Sequence, residues 1–213
     1  MKKEKIIGFD IDDTLTDVEK YEYEKLQEWC INVAKIGIYN GLINKQSATF
    51  EGRYPNLEYM LVKRFLDWYF PKQVREAPFR EYIKELFDIL HEKGYKIYII
   101  TRRDALYDGK YTGAMMKEDT ITRFKNEGIE YDRIFFGCKN KLKTLEDDNV
   151  DVLVDDSPMN IMQVSTKYPA IVMDTSFNKD LVGKNIYHIQ NFEPGNFMDL
   201  LEEIFHKGEN IND

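Results

Sequence analysis

The sequence predicts an α/β fold, a parallel sheet with helices on both faces and a small α-helical cap inserted after the first strand. Three observations carry that expectation. Short apolar runs rich in β-branched and aromatic residues alternate with amphipathic, helix-like stretches. That rhythm breaks once, early in the chain, where helix-like sequence continues without a convincing core strand. Two of the apolar runs end in clustered carboxylates, as strands do when they deliver ligand-binding groups to a sheet edge.

Strands are expected at residues 5–9, 95–100, 133–136, 150–154 and 170–173. Helices fill the gaps. Residues 78–93 begin with Pro78, present Leu86, Phe87, Ile89 and Leu90 on one face, and stop at Gly94. Residues 115–126 end before Gly128, residues 141–148 form a short charged helix, and residues 160–167 stop before Pro169. A last amphipathic helix is expected at 197–205, with 208–213 fraying. In the interrupted stretch, helices are expected at 17–36, carrying Leu26, Trp29, Ile31 and Val33, and at 57–70, carrying Leu61, Phe65, Leu66 and Trp68. A polar loop at 37–55 joins them. The domain expectation is therefore a core of 1–16 and 77–213 and a helical cap of 17–76, the alternative being extra helices packed on the core.

Composition narrows the function. The chain has 213 residues, 43% hydrophobic and 32% charged, with a formal charge of −8. That suits one core with a small insertion. The acidic balance disfavours binding a nucleic acid polymer, which needs a basic face, but leaves room for a small phosphorylated metabolite. No apolar run reaches bilayer length, so no membrane partner is expected, and residues 6–9 are too short for a leader. Cys30 and Cys138 read as reduced, inert thiols, and the localisation expected is cytoplasmic. The oligomeric state is left open.

The chemistry lies at strand ends. Ile6-Ile7-Gly8-Phe9 runs into Asp10-Ile11-Asp12-Asp13-Thr14-Leu15. Clustered carboxylates cost stability unless something positive binds, and a hard divalent cation such as Mg2+ suits oxygen ligands. Asp10 and Asp12 are two apart, so they start on the same strand face, where one can attack while the other handles a proton. An EF-hand would need Gly where Leu15 stands, so that reading fails. Asp13 or Thr14 can instead cap the following helix.

Val152-Leu153-Val154 likewise ends in Asp155-Asp156-Ser157-Pro158. In a parallel sheet the two acidic ends share one edge. A surface turn is the alternative. Ile97-Tyr98-Ile99-Ile100 ends in Thr101-Arg102-Arg103, whose hydroxyl, amides and cations suit phosphate oxygens, although both arginines could equally be solvated. Lys139, Lys141 and Lys143 precede Asp155 and offer the cation that a transferring phosphoryl group needs. Spacing does not decide among them. His91, His188 and His206 are scattered, and neither a Gly-rich phosphate loop nor a Gly-x-Ser-x-Gly elbow is present.

These four segments, in this order, resemble the four motifs of the haloacid-dehalogenase (HAD) superfamily of phosphatases. The resemblance implies a Rossmann-like core with a cap after the first motif, and an aspartyl-phosphate mechanism. It implies Asp10 as nucleophile, Asp12 as acid and base, and Thr101 and Lys141 as holders of the phosphoryl oxygens, with Arg102 as a further substrate contact. The implied Mg2+ ligands are Asp10, the backbone carbonyl of Asp12, Asp156, and Asp155 directly or through water. Asp13 stands where many members carry Gly.

Within the superfamily the chain is most similar to bacterial nucleotidases related to the 5'(3')-deoxyribonucleotidases. That implies a nucleoside monophosphate as substrate, with Trp29, Tyr54, Trp68 and Tyr69 as candidates to stack on a base, core packing being their alternative role. Hydrolysis or mutase chemistry on another phosphometabolite such as a sugar phosphate, and a non-catalytic metal-binding regulator, stay open as alternatives.

Overall fold

The computed structural model describes residues 4–103 and 111–209, with side chains to residue 206. In chain order the elements are β1 (Ile6–Phe9), α1 (Val18–Asn32), α2 (Phe50–Arg53), α3 (Tyr59–Glu76), α4 (Ile83–Glu92), β2 (Lys96–Ile100) and α5 (Gly113–Asn126). They are followed by β3 (Arg133–Phe135), α6 (Lys141–Asp148), β4 (Val152–Asp155), α7 (Pro158–Val164), β5 (Ala170–Met173), β6 (Ile186–Ile189) and α8 (Pro194–Glu209).

The strands form one six-stranded sheet in the order β3-β2-β1-β4-β5-β6. Every pairing is parallel. Alternation along each strand sends residues to opposite faces. Ile7, Phe9, Ile97, Ile99, Val152 and Val154 pack against Leu86, Phe87 and Leu90 of α4 and Phe197 and Leu201 of α8. Ile100, Leu153, Ala170 and Val172 meet Leu145 of α6 and Ile161 and Val164 of α7 on the other face. Parallel strands buried on both faces need such continuous apolar sequence. Among the described residues no helix is long and apolar enough to cross a membrane.

The helical segment between β1 and α4 leaves and rejoins the sheet layer through two adjacent stretches of chain. The Asp17 N–H donates to the Pro78 carbonyl, and the Arg80 N–H donates to the Leu15 carbonyl, both at 2.9 Å. Inside the cap, Leu26 and Trp29 of α1, Phe50 of α2 and Val62, Phe65 and Tyr69 of α3 make a separate apolar cluster. Its rings interlock, with Phe65 stacked on Tyr69 at 5.0 Å and on Phe50 at 4.9 Å.

The helix expected at 17–36 ends at Asn32, and the one expected to open at Pro78 begins at Ile83, after Tyr82 takes a left-handed backbone. Three further elements differ from the sequence expectation. The helix expected to end at residue 70 continues through Pro71 to Glu76. Proline lacks an N–H and crowds the preceding turn, so it normally stops a helix. Here tertiary bonds hold the last turn: Arg75 Nε donates to Asp119 at 2.7 Å, Arg123 donates to the Arg75 carbonyl, and the Tyr21 hydroxyl donates to Glu76 at 2.7 Å. The loop expected at 37–55 contains α2, capped by the Thr49 hydroxyl accepting from the Gly52 N–H. A sixth strand, β6, extends the sheet beyond β5.

His188 fastens that edge strand. Its Nδ1 meets Asp174 Oδ1 at 2.6 Å and its Nε2 meets the Leu181 carbonyl at 2.6 Å. Burial alone would lower its pKa, but Asp174 and the Leu181 carbonyl outweigh this and raise it above the ordinary 6.5. The charged ring therefore stabilises the fold fully below pH 6.5 while Asp174 is ionised, and that contribution fades as pH rises through the raised value. His188→Gln is expected to cost about 1 kcal/mol or less near pH 6 and less still at pH 9. Urea denaturation at the two pH values checks this, and an equal cost at both would refute it.

Candidate active site

The site forms where β1 lies between β2 and β4, at the carboxyl edge of the sheet. Successive connections depart in opposite directions from this point, which opens a crevice in doubly wound sheets. The Phe9–Val154 register carries the chain so that the Asp10 N–H donates to the Val154 carbonyl at 2.9 Å. Asp10 and Asp155 thus emerge beside one another. Lys141, at the first turn of α6, spans them: its Nζ donates to Asp10 Oδ1, and to Asp155 Oδ2 at 2.6 Å. This ammonium is 1% exposed. Lys139 and Lys143 are exposed, so tertiary structure selects Lys141 from the three.

Asp155 is fully engaged. Its Oδ1 accepts from the Ser157 N–H at 2.8 Å, and the Asn160 amide lies 3.2 and 3.1 Å from its two oxygens. Asp156 is less constrained, accepting from the Thr14 hydroxyl at 3.2 Å while Asn178 holds its backbone carbonyl at 2.7 Å. Thr101 is buried at the end of β2, and its Oγ1 accepts the Arg103 N–H at 3.1 Å.

Asp12 receives a bidentate arginine. Arg103 Nε donates to Oδ2 at 2.9 Å and Nη2 to Oδ1 at 2.7 Å, while Nη1 donates to the Thr120 hydroxyl at 3.1 Å. The cap adds Gln73, whose Nε2 donates to Asp12 Oδ1 at 2.8 Å. Sequence reasoning singled out Arg102 and left both arginines open to solvent. In the structure Arg102 is exposed and Arg103 is turned inward. A side-chain parity argument from Thr101 was the available signal, since residues two apart point the same way. Gln73 had no local signal, because it lies beyond the expected end of its helix. Asn160 and Asn178 were likewise missed.

Asp13 takes a left-handed backbone, φ 57°. Asp is tolerated in that conformation better than most residues. Its Oδ1 accepts from the Glu19 N–H at 2.8 Å in the first turn of α1, the capping role allowed for it.

Charge is unevenly balanced. Burial pushes the Asp10 carboxyl up to about 7, opposed by Lys141 and reinforced by Asp155 and Asp12. Asp156 is pushed well above the carboxylate range by burial and then by Asp155, Asp13 and Asp10. Burial also lifts Asp12, but the Arg103 charge and the bonds from Arg103 and Gln73 outweigh it and leave the carboxyl lowered. Arg103 is thus engaged by Asp12, while among the described residues Lys141 is the cation bonded to Asp10 and Asp155. This excess of carboxylate is what a divalent cation relieves.

Among the described residues no three Asp, Glu, His or Cys side chains are gathered as a closed cage. The donors fit Mg2+ nonetheless, because that ion is held by one or two carboxylates and keeps several waters. Asp10 and Asp156, both buried at this edge, could supply such carboxylates.

Comparison with known proteins agrees with this architecture. No family model and no curated protein matches the sequence. Solved structures do. A haloacid dehalogenase-like hydrolase from Streptococcus pneumoniae matches 94% of this chain over 100% of its own, at TM-score 0.64 and 16% identity. The fold is that of the HAD-like hydrolases. A candidate β-phosphoglucomutase from Thermotoga maritima matches 94% of this chain and 99% of its own, at TM-score 0.59 and 14% identity. CbbY from Rhodobacter sphaeroides, solved with phosphate, matches 89% and 95%, at TM-score 0.54 and 15% identity. At such identities the HAD-like fold is shared, and function has to be argued from the site.

Because, among the described residues, Lys141 is the cation that bridges Asp10 and Asp155, its loss leaves two buried carboxylates without that partner. Lys141→Ala is expected to cost about 3–5 kcal/mol at pH 7. Chemical denaturation reads the loss, and a cost below about 1 kcal/mol would show the pairing contributes little.

Proposed function

We propose that the protein is a Mg2+-dependent phosphomonoester hydrolase working through an aspartyl-phosphate on Asp10, with residues 17–76 as cap over a core of 1–16 and 77–213. The observation that carries this reading is the convergence at one sheet edge of Asp10, its Lys141–Asp155 partner pair, and Asp12 held by Arg103.

An Asp10 oxygen attacks phosphorus as the bond from phosphorus to the ester oxygen breaks. Lys141 and the Thr101 hydroxyl and backbone lie where the transferring oxygens gather charge. The leaving oxygen takes a proton from Asp12, and Asp12 then takes a proton from the water that hydrolyses the acyl phosphate. As placed, both Asp12 oxygens accept hydrogen bonds and its carboxyl is held ionised. That is the form required for the second step. Donation in the first step requires one oxygen to be released from Gln73 or Arg103. Asp10, Asp156 and the Asp12 carbonyl, with Asp155 directly or through water, would hold Mg2+, which would neutralise carboxylate and phosphoryl charge.

The substrate class is a small phosphorylated metabolite. A nucleotide would call for an exposed ring to stack on, but Trp29, Tyr54 and Tyr69 are spent inside the cap cluster and Trp68 packs against it. A compact, polar leaving group fits better, as the likeness to a candidate β-phosphoglucomutase also suggests. Water as acceptor separates hydrolase from mutase, and any turnover separates both from a non-catalytic regulator.

With p-nitrophenyl phosphate and Mg2+, Asp10→Asn is expected to lower kcat by about a thousandfold or more. Retention of a tenth of the activity in a folded variant would sink the nucleophile assignment. Chelation with EDTA is expected to abolish turnover and added Mg2+ to restore it. A rate indifferent to EDTA would reject the metal requirement.

A further inference from the structure

The loop that follows β5, residues 174–178, touches the candidate site on one side and the cap on the other. At its end stands Asn178, 2% exposed. The Asn178 Nδ2 donates to the Asp156 backbone carbonyl at 2.7 Å and to the Met173 carbonyl at 2.9 Å. Its Oδ1 accepts from the Thr175 N–H at 2.8 Å. A carboxamide offers two N–H donors and one carbonyl oxygen, so both donors are committed and the acceptor is in use. One side chain thus ties the residue after β4 to the end of β5 and folds the loop around itself.

Asp155 and Asp156 are held by different means. Asp155 is oriented through its carboxylate, which accepts from Lys141, the Ser157 N–H and the Asn160 amide. The Asp156 carboxylate accepts from the Thr14 hydroxyl at 3.2 Å, long for an O–H donor. The negative charges of Asp155, Asp13 and Asp10 oppose its ionised form, so keeping it at this edge needs a brace. Asn178 supplies one through the main chain. The far side of the same loop meets the cap. The Ser176 hydroxyl donates to the Lys45 carbonyl at 2.7 Å. The Phe177 ring lies 6.0 Å from the Arg53 guanidinium, which pairs with buried Glu22 at 2.9 Å. This connection is separate from the paired chain at Asp17 and Pro78 and from the last turn of α3.

We propose that the 174–178 loop is a strap joining the cap to the metal-side carboxylate, with Asn178 the positioning residue that sets Asp156 for Mg2+. The inference rests on the Mg2+-dependent reading above. Mg2+ demands near-ideal octahedral geometry with oxygens at about 2.0–2.1 Å, so a small displacement of one ligand costs affinity. Groups that orient a metal ligand typically change affinity by about 10–100-fold when they are removed. Ser176 adds the link to the cap. A cap movement that breaks the Lys45 bond frees the loop, and the brace on Asp156 with it. Mg2+ binding and seating of the cap therefore favour one another, and the coupling is reciprocal.

Isothermal titration of the full chain with Mg2+ alone tests this, with thermal denaturation in EDTA reporting the fold. Asn178→Ser keeps a hydroxyl but cannot span both carbonyls, and its Kd for Mg2+ is expected to rise by about 10–100-fold. Ser176→Ala leaves every bond of Asn178 in place, and its Kd is expected to rise by about fivefold. Asp156→Asn is expected to abolish the binding heat. Heat that survives in Asp156→Asn puts the ion elsewhere and overturns the strap. A lowered Tm in Asn178→Ser with the Kd unchanged marks a structural group and overturns the positioning role. If Asn178→Ser does not fold, Ser176→Ala decides: a weakened Kd supports the strap and an unchanged one overturns it. A wild type that binds no Mg2+ rejects the metal reading and the strap together. Mg2+ binding without hydrolysis of p-nitrophenyl phosphate rejects the hydrolase reading and leaves the strap standing.

Discussion

A lysine ammonium buried between the tips of two adjacent strands is the contact on which the rest of this molecule depends. Parallel pairing of β1 with β4 brings Asp10 and Asp155 side by side at the inner end of a crevice, and like charges so placed repel strongly in a low dielectric. Lys141 makes that pairing tenable. It also ties the first turn of α6 to the sheet edge. Asp155 stays fully bonded by Ser157 and Asn160, which makes the lysine a fixed post.

A second buried cation organises the cap side. Arg103 grips Asp12 with two nitrogens and Thr120 with a third, so the acid/base candidate is tied to α5. The cap contributes through the last turn of α3, the turn that persists beyond Pro71. Gln73 reaches Asp12 only because Arg75, Glu76 and the Arg75 carbonyl are caught by Asp119, Tyr21 and Arg123. Cap docking and the placement of the acid/base are therefore one set of contacts. Loosening the last turn of α3 would remove the Gln73 bond from Asp12 Oδ1.

Much of the fold could be read from local sequence. The β1, β2, β4 and β5 runs are apolar on both faces and bounded by polar residues, so strand and parallel sheet follow together. Asp10, Asp12, Asp155 and Asp156 stand at the ends of such runs, where side-chain parity and a shared sheet edge bring them together. Less was legible where tertiary bonds outweigh propensity. Ile186–Ile189 has only half-buried side chains except Ile189, and its pairing leans on β5 and the His188–Asp174 contact. α2 is a single turn within polar sequence. Pro71 argued for a stop that distant partners cancel.

By itself the sequence determined the alternating architecture and the acidic strand ends, because those depend on short-range periodicity and on side-chain type. Tertiary structure alone decided which lysine and which arginine turn inward, how far α3 runs, and that the Tyr69 hydroxyl is buried without a partner. Those choices depend on groups far apart along the chain, such as the 131 residues between Asp10 and Lys141, and no local pattern encodes a contact made across such a span.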